Sequence, residues 1–150
     1  MRDAKTTKPA RAAHKRAPGL RRVLVVEDDA VLALALEDAL RDVGVREVVI
    51  CPSRASTVEA LEQGDADAVV LDVHLADGDD GWALAELIEQ LGPKRPRIFF
   101  STGSPEDIPP KIAELGLVFS KPYDPAELAA ELTSGEQRRG LFSRLRGAMS

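Results

Sequence analysis

A single cysteine, Cys51, stands in the 150 residues. It can close no internal disulfide and supply no cysteine-based zinc site. Aromatic residues make up only 4%, too few for a stacking platform on RNA or single strands, so no specific nucleic-acid partner is expected. No run of about 18 apolar residues occurs, so no transmembrane segment is expected. The basic N-terminus has no apolar core of the kind a secretory signal needs, and the expected compartment is the cytoplasm. What remains is ordinary for a globular protein: 44% hydrophobic and 30% charged residues, with enough length for one domain and a sizeable core.

The net charge of -5 hides a split. Residues 1–22 hold eight Lys/Arg against one acid, and residues 135–150 hold four against one. Residues 23–134 hold eight against 23, a net charge of -15. The pattern predicts a disordered basic tail over 1–20, an acidic domain over 21–133 and a basic amphipathic extension over 134–150. In that extension Leu141, Phe142, Leu145 and Met149 fall at helical spacing among four arginines, which reads as an extra helix on the domain or as a basic contact surface.

Within the acidic domain, short apolar runs alternate with helical stripes. Val23–Val26, Val48–Ile50, Ala68–Leu71, Arg97–Phe100 and Leu117–Phe119 read as strands. Between them run Leu32, Leu36, Ala39 or Leu40 and Val43; then Ala55, Val58 and Leu61; then Leu84, Leu87, Ile88 and Leu91. The stretch 104–115 is a poor helix, because Pro109 and Pro110 interrupt it. Asp124-Pro125 opens a last helix, with Asp as cap and Pro in the first turn. Strands apolar along their whole length argue for a parallel sheet covered on both faces, a three-layer α/β sandwich. Right-handed crossovers then bring all strand C-termini to one edge, where ligands bind in such folds.

That edge collects Glu27 and Asp28 after strand one, Asp72 after strand three, Thr102 after strand four and Lys121 after strand five. If strands one and three are neighbours, three carboxylates crowd together and disfavour one another's ionisation. A hard divalent cation, Mg²⁺, relieves that repulsion, and Lys121 adds a point charge. Such a set suits phosphoryl transfer to a carboxylate. Asp72 is the candidate nucleophile, with Lys121 and the Thr102 hydroxyl on the phosphoryl oxygens.

In these motifs the chain resembles the receiver domains of two-component response regulators, over about residues 21–133. Val-Leu-Val-Val-Glu27-Asp28-Asp29 is similar to the family's first strand and acidic pair. Leu71-Asp72-Val73-His74-Leu75 is similar to its phosphoacceptor strand, Thr102 to its hydroxyl residue and Lys121-Pro122 to its Lys-Pro pair. The resemblance implies a flavodoxin-like sheet in the order 2-1-3-4-5. It implies that a sensor histidine kinase or a phosphotransfer protein phosphorylates Asp72. It implies Mg²⁺ held by Asp28 and Asp72 directly, by Glu27 through water and by the backbone carbonyl of His74. Thr102 would relay the signal to the face built from helix four, strand five and helix five. The expected protein is a stand-alone phosphoacceptor, acting by protein contact or as a phosphate sink or relay, and not a turnover enzyme.

The chain departs from the common pattern in four places. Ala76 replaces a frequent proline, the loop to Gly81 is about one residue longer, Gly103 replaces the usual Ala, and Val118 stands where many members carry an aromatic switch residue. Phe100-Ser101-Thr102-Gly103 resembles the signature of the so-called FAT GUY receivers, which implies a kinase of the HWE class. Two competing readings are a phosphorylation-independent binding module on the same fold and a haloacid-dehalogenase-like phosphatase. The phosphatase would want a carboxylate at position 74, where His74 stands. Cys51 reads as a small buried residue, and Trp82 as packing at the start of helix three.

Overall fold

Apolar runs without alternation bury both their faces only inside a covered sheet, and the chain builds one. The computed structural model describes residues 21–75 and 81–134. The expected tail 1–20, the stretch 76–80 with Ala76, and the expected extension past 134 with its Leu141, Phe142, Leu145 and Met149 stripe lie outside the described residues. The strands are β1 (Arg22–Val26), β2 (Glu47–Cys51), β3 (Ala68–Asp72), β4 (Arg97–Thr102) and β5 (Gly116–Ser120). They form one sheet in the order β2-β1-β3-β4-β5, and every pairing is parallel. The helices are α1 (Ala30–Asp42), α2 (Arg54–Gln63), α3 (Gly81–Glu89) and α4 (Pro110–Ala113), with α5 over 125–134.

Strand alternation splits the core in two. Val23, Val25, Val70 and Phe99 face Leu36 and Leu40 of α1 and Leu128 and Leu132 of α5. Leu24, Val26, Val69, Leu71 and Phe100 face Leu84 and Ile88 of α3 and Ile112 of α4. Each fully buried Leu, Ile or Phe among these contributes about 1.5–3 kcal/mol of transfer free energy. Central β3 is buried at every residue.

The helix ends follow from local chemistry. Asp29 caps α1, its Oδ1 accepting the N–H groups of Val31 and Leu32 at 3.0 and 3.4 Å. Gly44 ends it in the left-handed region, at φ 104°. Ser53 and Ser56 form a reciprocal capping box on α2, and Asp124 accepts from the Ala126 N–H at 2.9 Å at the start of α5.

Three expectations are corrected. The buried face of α2 is Thr57 and Ala60, while Val58 and Leu61 are half-buried and Ala55 is exposed. The Ser53 cap fixes where the helix starts, and that phase points Thr57 inward, its hydroxyl donating to Ser53 O at 2.8 Å. On α3, Leu84, Ala85 and Ile88 are buried, but Leu87 stays exposed and Leu91 falls past the helix end. β5 is not covered on both faces: Leu117 and Val118 are 45% and 39% exposed. The prolines cut α4 to one turn after a 3-10 turn at Pro105–Asp107, so little helix covers that edge.

Candidate functional site

The sheet order makes β1 and β3 neighbours, with Val26 opposite Leu71. The acids that follow them therefore converge. Carboxylate oxygens of Glu27, Asp28 and Asp72 all lie within 4.8 Å of one another. Glu27 and Asp72 are buried, at 2% and 5% exposure, whereas Asp28 is exposed. Glu27 continues the parity of Val25, and Asp72 that of Val70, so both side chains stand on the α1/α5 side of the sheet.

Lys121 comes to them from the far edge. Its backbone N–H donates to Thr102 O at 2.7 Å. Its Nζ lies 3.1 Å from Glu27 Oε1 and donates to Asp72 Oδ2 at 3.3 Å. Asp72 Oδ1 accepts the His74 N–H at 3.0 Å, and Glu27 Oε2 accepts the Asp29 N–H at 3.1 Å. Glu27 Oε1 is buried and, although ion-paired, has no hydrogen bond of good geometry.

Burial pushes Glu27 up to about 7; the Asp29 N–H and Lys121 pull it down, and the neighbouring Asp72 carboxylate pushes it up further. Burial pulls the Lys121 ammonium down, but the Glu27 and Asp72 carboxylates outweigh it and hold it above its ordinary value. This is the signature of excess negative charge in a dry place. An all-oxygen donor set with one buried oxygen short of a hydrogen bond fits Mg²⁺.

Thr102 ends β4 opposite Ser120, is fully buried, and accepts the Ser104 N–H at 3.0 Å. That bond leaves its hydroxyl proton free to donate. His74 lies exposed two residues past Asp72. Cys51 is buried and ends edge strand β2, its thiol pushed up by burial. Trp82 is half-buried and packs against the α3 side of the core. Val118 is exposed on β5, three residues before Lys121.

Three residues escaped the sequence reading. Gly81, at the start of α3, donates to Val73 O at 3.0 Å. A Cβ there would lie 2.6 Å from Val73 Cα and 2.9 Å from Asp72 O, so the loop carrying Asp72 passes too close for any side chain. Ser101 and Tyr123 are the others. Ser101 pairs with Asp72 in register, and its Oγ lies 2.7 Å from the Tyr123 hydroxyl. Two signals were available: Ser101 has the strand parity of Phe99, and Tyr123 follows directly on Lys121-Pro122.

Comparison with known proteins agrees with this geometry. The family model described as the response regulator receiver domain matches residues 23–133. A putative response regulator from Chloroflexus aurantiacus J-10-fl is 30% identical with a TM-score of 0.65, over 78% of this chain and 98% of its own. A CheY-like receiver domain from Methylobacillus flagellatus is 27% identical with a TM-score of 0.67, over 76% and 97%. The response regulator TrrA from Thermotoga maritima, solved in complex with Mg²⁺ and BeF, shares the fold at 21% identity and a TM-score of 0.64, over 76% and 97%. No curated protein matches the sequence. Among the described residues no helix is long and apolar enough to cross a membrane.

Proposed function

Because the chain belongs to the response regulator receiver domain family, we propose that it is a phosphoacceptor switch in which Asp72 takes a phosphoryl group from a phosphohistidine. One observation carries this reading. The Asp72 carboxylate stands at the C-terminal end of the central strand, 3.3 Å from the Lys121 ammonium and within 4.8 Å of the Glu27 and Asp28 carboxylates.

In the transfer, an Asp72 oxygen forms the new O–P bond as the donor's N–P bond breaks. Lys121 follows the developing charge on the phosphoryl oxygens, and the Thr102 hydroxyl donates to one of them. Asp28 and Asp72 would hold Mg²⁺ directly, with Glu27 through water and the His74 carbonyl completing the set. The metal neutralises phosphoryl and carboxylate charge when bound. Lys121 Nζ contacts Glu27 as well as Asp72, at 3.1 and 3.3 Å, and of these two carboxylates Asp72 is the one at the end of the central strand.

We further propose that the protein works in the cytoplasm. It would signal by phosphorylation-dependent contact, or act as a phosphate sink or relay, rather than turn over a substrate. The donor would be a sensor histidine kinase or a phosphotransfer protein. The Phe100-Ser101-Thr102-Gly103 run supports a kinase of the HWE class. A phosphatase reading finds no carboxylate at position 74, where His74 is exposed.

The test is labelling by acetyl phosphate with Mg²⁺. The native chain is expected to take up one phosphoryl group, and Asp72→Ala none. Equal labelling of the two would remove Asp72 from the reaction.

A further inference from the structure

We propose that Tyr123, through its hydrogen bond to Ser101, is a positioning residue that holds Lys121 against the acceptor carboxylate. The inference rests on the reading of Asp72 as acceptor and Lys121 as its phosphoryl contact.

A lysine side chain is a flexible stem, and nothing in its own chemistry places its ammonium to within a few tenths of an ångström. The placement comes from the backbone on either side of it. Before Lys121, the chain is fixed by β5, and its last sheet bond is Lys121 N–H to Thr102 O at 2.7 Å. After Lys121, the chain leaves the sheet. The next anchor is Tyr123, whose ring packs on Phe119 at 5.7 Å, which in turn stacks on Phe99 at 6.2 Å.

The Tyr123 hydroxyl completes the anchor on Ser101 Oγ at 2.7 Å, and Ser101 is wholly buried. Lys121 is thus tied to two consecutive residues of β4, Thr102 before it and Ser101 after it. Since Ser101 pairs with Asp72 across the sheet, the contacts close a ring. Asp72 lies beside Ser101, Ser101 holds Tyr123, Tyr123 is two residues from Lys121, and Lys121 returns to Asp72 at 3.3 Å.

Strand parity reinforces the point. Glu27, Asp72 and Ser101 continue the alternation of Val25, Val70 and Phe99, so three adjacent strands project polar side chains to one side in a row. Thr102 takes the opposite parity. Tyr123 also senses the site's charges. Burial raises its hydroxyl above its ordinary value, while Ser101 and Lys121 pull it down and Glu27 and Asp72 push it up.

The experiment uses the full chain with Tyr123→Phe and Ser101→Ala, each removing one hydroxyl and little volume. The readouts are the labelling rate with acetyl phosphate, beryllofluoride affinity, and Mg²⁺ affinity from the fluorescence of Trp82, the single tryptophan. Each variant is expected to slow labelling and weaken beryllofluoride by about three- to tenfold, the worth of one hydrogen bond, without weakening Mg²⁺. The double variant is expected to be no worse than either single one. On a Lys121→Ala background, Tyr123→Phe is expected to change nothing further, because its effect runs through the ammonium.

A Tyr123→Phe chain that labels at the native rate overturns the inference. So does an equal loss on the Lys121→Ala background, or a matched loss of Mg²⁺ binding, either of which marks a merely structural bond. A native chain that takes no label overturns the acceptor reading and this inference with it. A native chain that labels normally beside an equally fast Tyr123→Phe overturns this inference alone.

Discussion

Replacing Glu27 by Gln should make the metal-free protein more stable at neutral pH and leave it nearly unchanged in acid. The carboxyl is 2% exposed and is pushed from 4.5 up to about 7. The folded state therefore holds this proton more tightly than the unfolded chain does. Stability from this group is greatest below about pH 4.5, declines as the pH rises through the window to about 7, and is flat above it. A rise from 4.5 to about 7 amounts to roughly 3–4 kcal/mol. Urea denaturation in EDTA, followed by far-UV circular dichroism from pH 4.5 to 8.5, measures it. Subtracting the native curve from that of Glu27→Gln cancels the other titrating groups. The difference should climb across the window to roughly 3–4 kcal/mol in favour of the variant. Saturating Mg²⁺ should close that gap by stabilising the native chain, because the cation competes with the same proton. A difference curve that stays flat to within about 0.5 kcal/mol would show that the buried carboxylate carries no such penalty.

Two further outcomes follow from the same geometry. Gly81→Ala drives a methyl to 2.6 Å from Val73 Cα. It should lower stability by about 1–3 kcal/mol and weaken Mg²⁺ as the Asp72 loop shifts; thermal melts and Trp82 fluorescence check both, and a native melting temperature would contradict the steric argument. Asp28→Asn removes the exposed carboxylate of the trio, which should weaken Mg²⁺ at least tenfold while leaving metal-free stability unchanged or slightly higher. Calorimetric titration decides it, and unaltered affinity would exclude Asp28 as a ligand.

The sheet and the acidic trio were legible because both rest on strong, local signals. Five uninterrupted apolar runs imply a parallel sheet, and parallel crossovers put every strand's C-terminus on one edge. Those two facts put Glu27, Asp28, Asp72 and Lys121 on one edge, while the pairing of β1 with β3 that brings the acids together rests on the strand order that the family resemblance implies. The inner face of α2 was not legible, because apolar spacing favoured Val58 and Leu61 while the Ser53 cap set a phase that buries Thr57 and Ala60. The exposure of β5 was implicit in Pro109 and Pro110, but the sequence does not say what covers an edge once its helix is cut to one turn. In the sequence Ser101 stands out only as part of a signature-like run, not as a polar group on the acceptor's side of the sheet. Its meaning appears only once Tyr123 is seen 2.7 Å away. Gly103 has open space around it, so the Ala usual in the family would fit there.

The edge strand has a consequence for how the sheet completes itself. The pairing of β1 with β3 is enough to gather three carboxylates, and by itself that half of the molecule is electrostatically frustrated. β5 stands at the edge of the strand order and leaves Leu117 and Val118 45% and 39% exposed, so its docking draws less on apolar burial than that of the central strand. What it brings instead is a cation. Lys121 rides in at the end of β5 and sits against both Glu27 and Asp72. The weakest strand of the sheet is thereby recruited by the strain of its strongest, and any ion or phosphoryl group that redistributes charge at the centre also changes how firmly the edge is held.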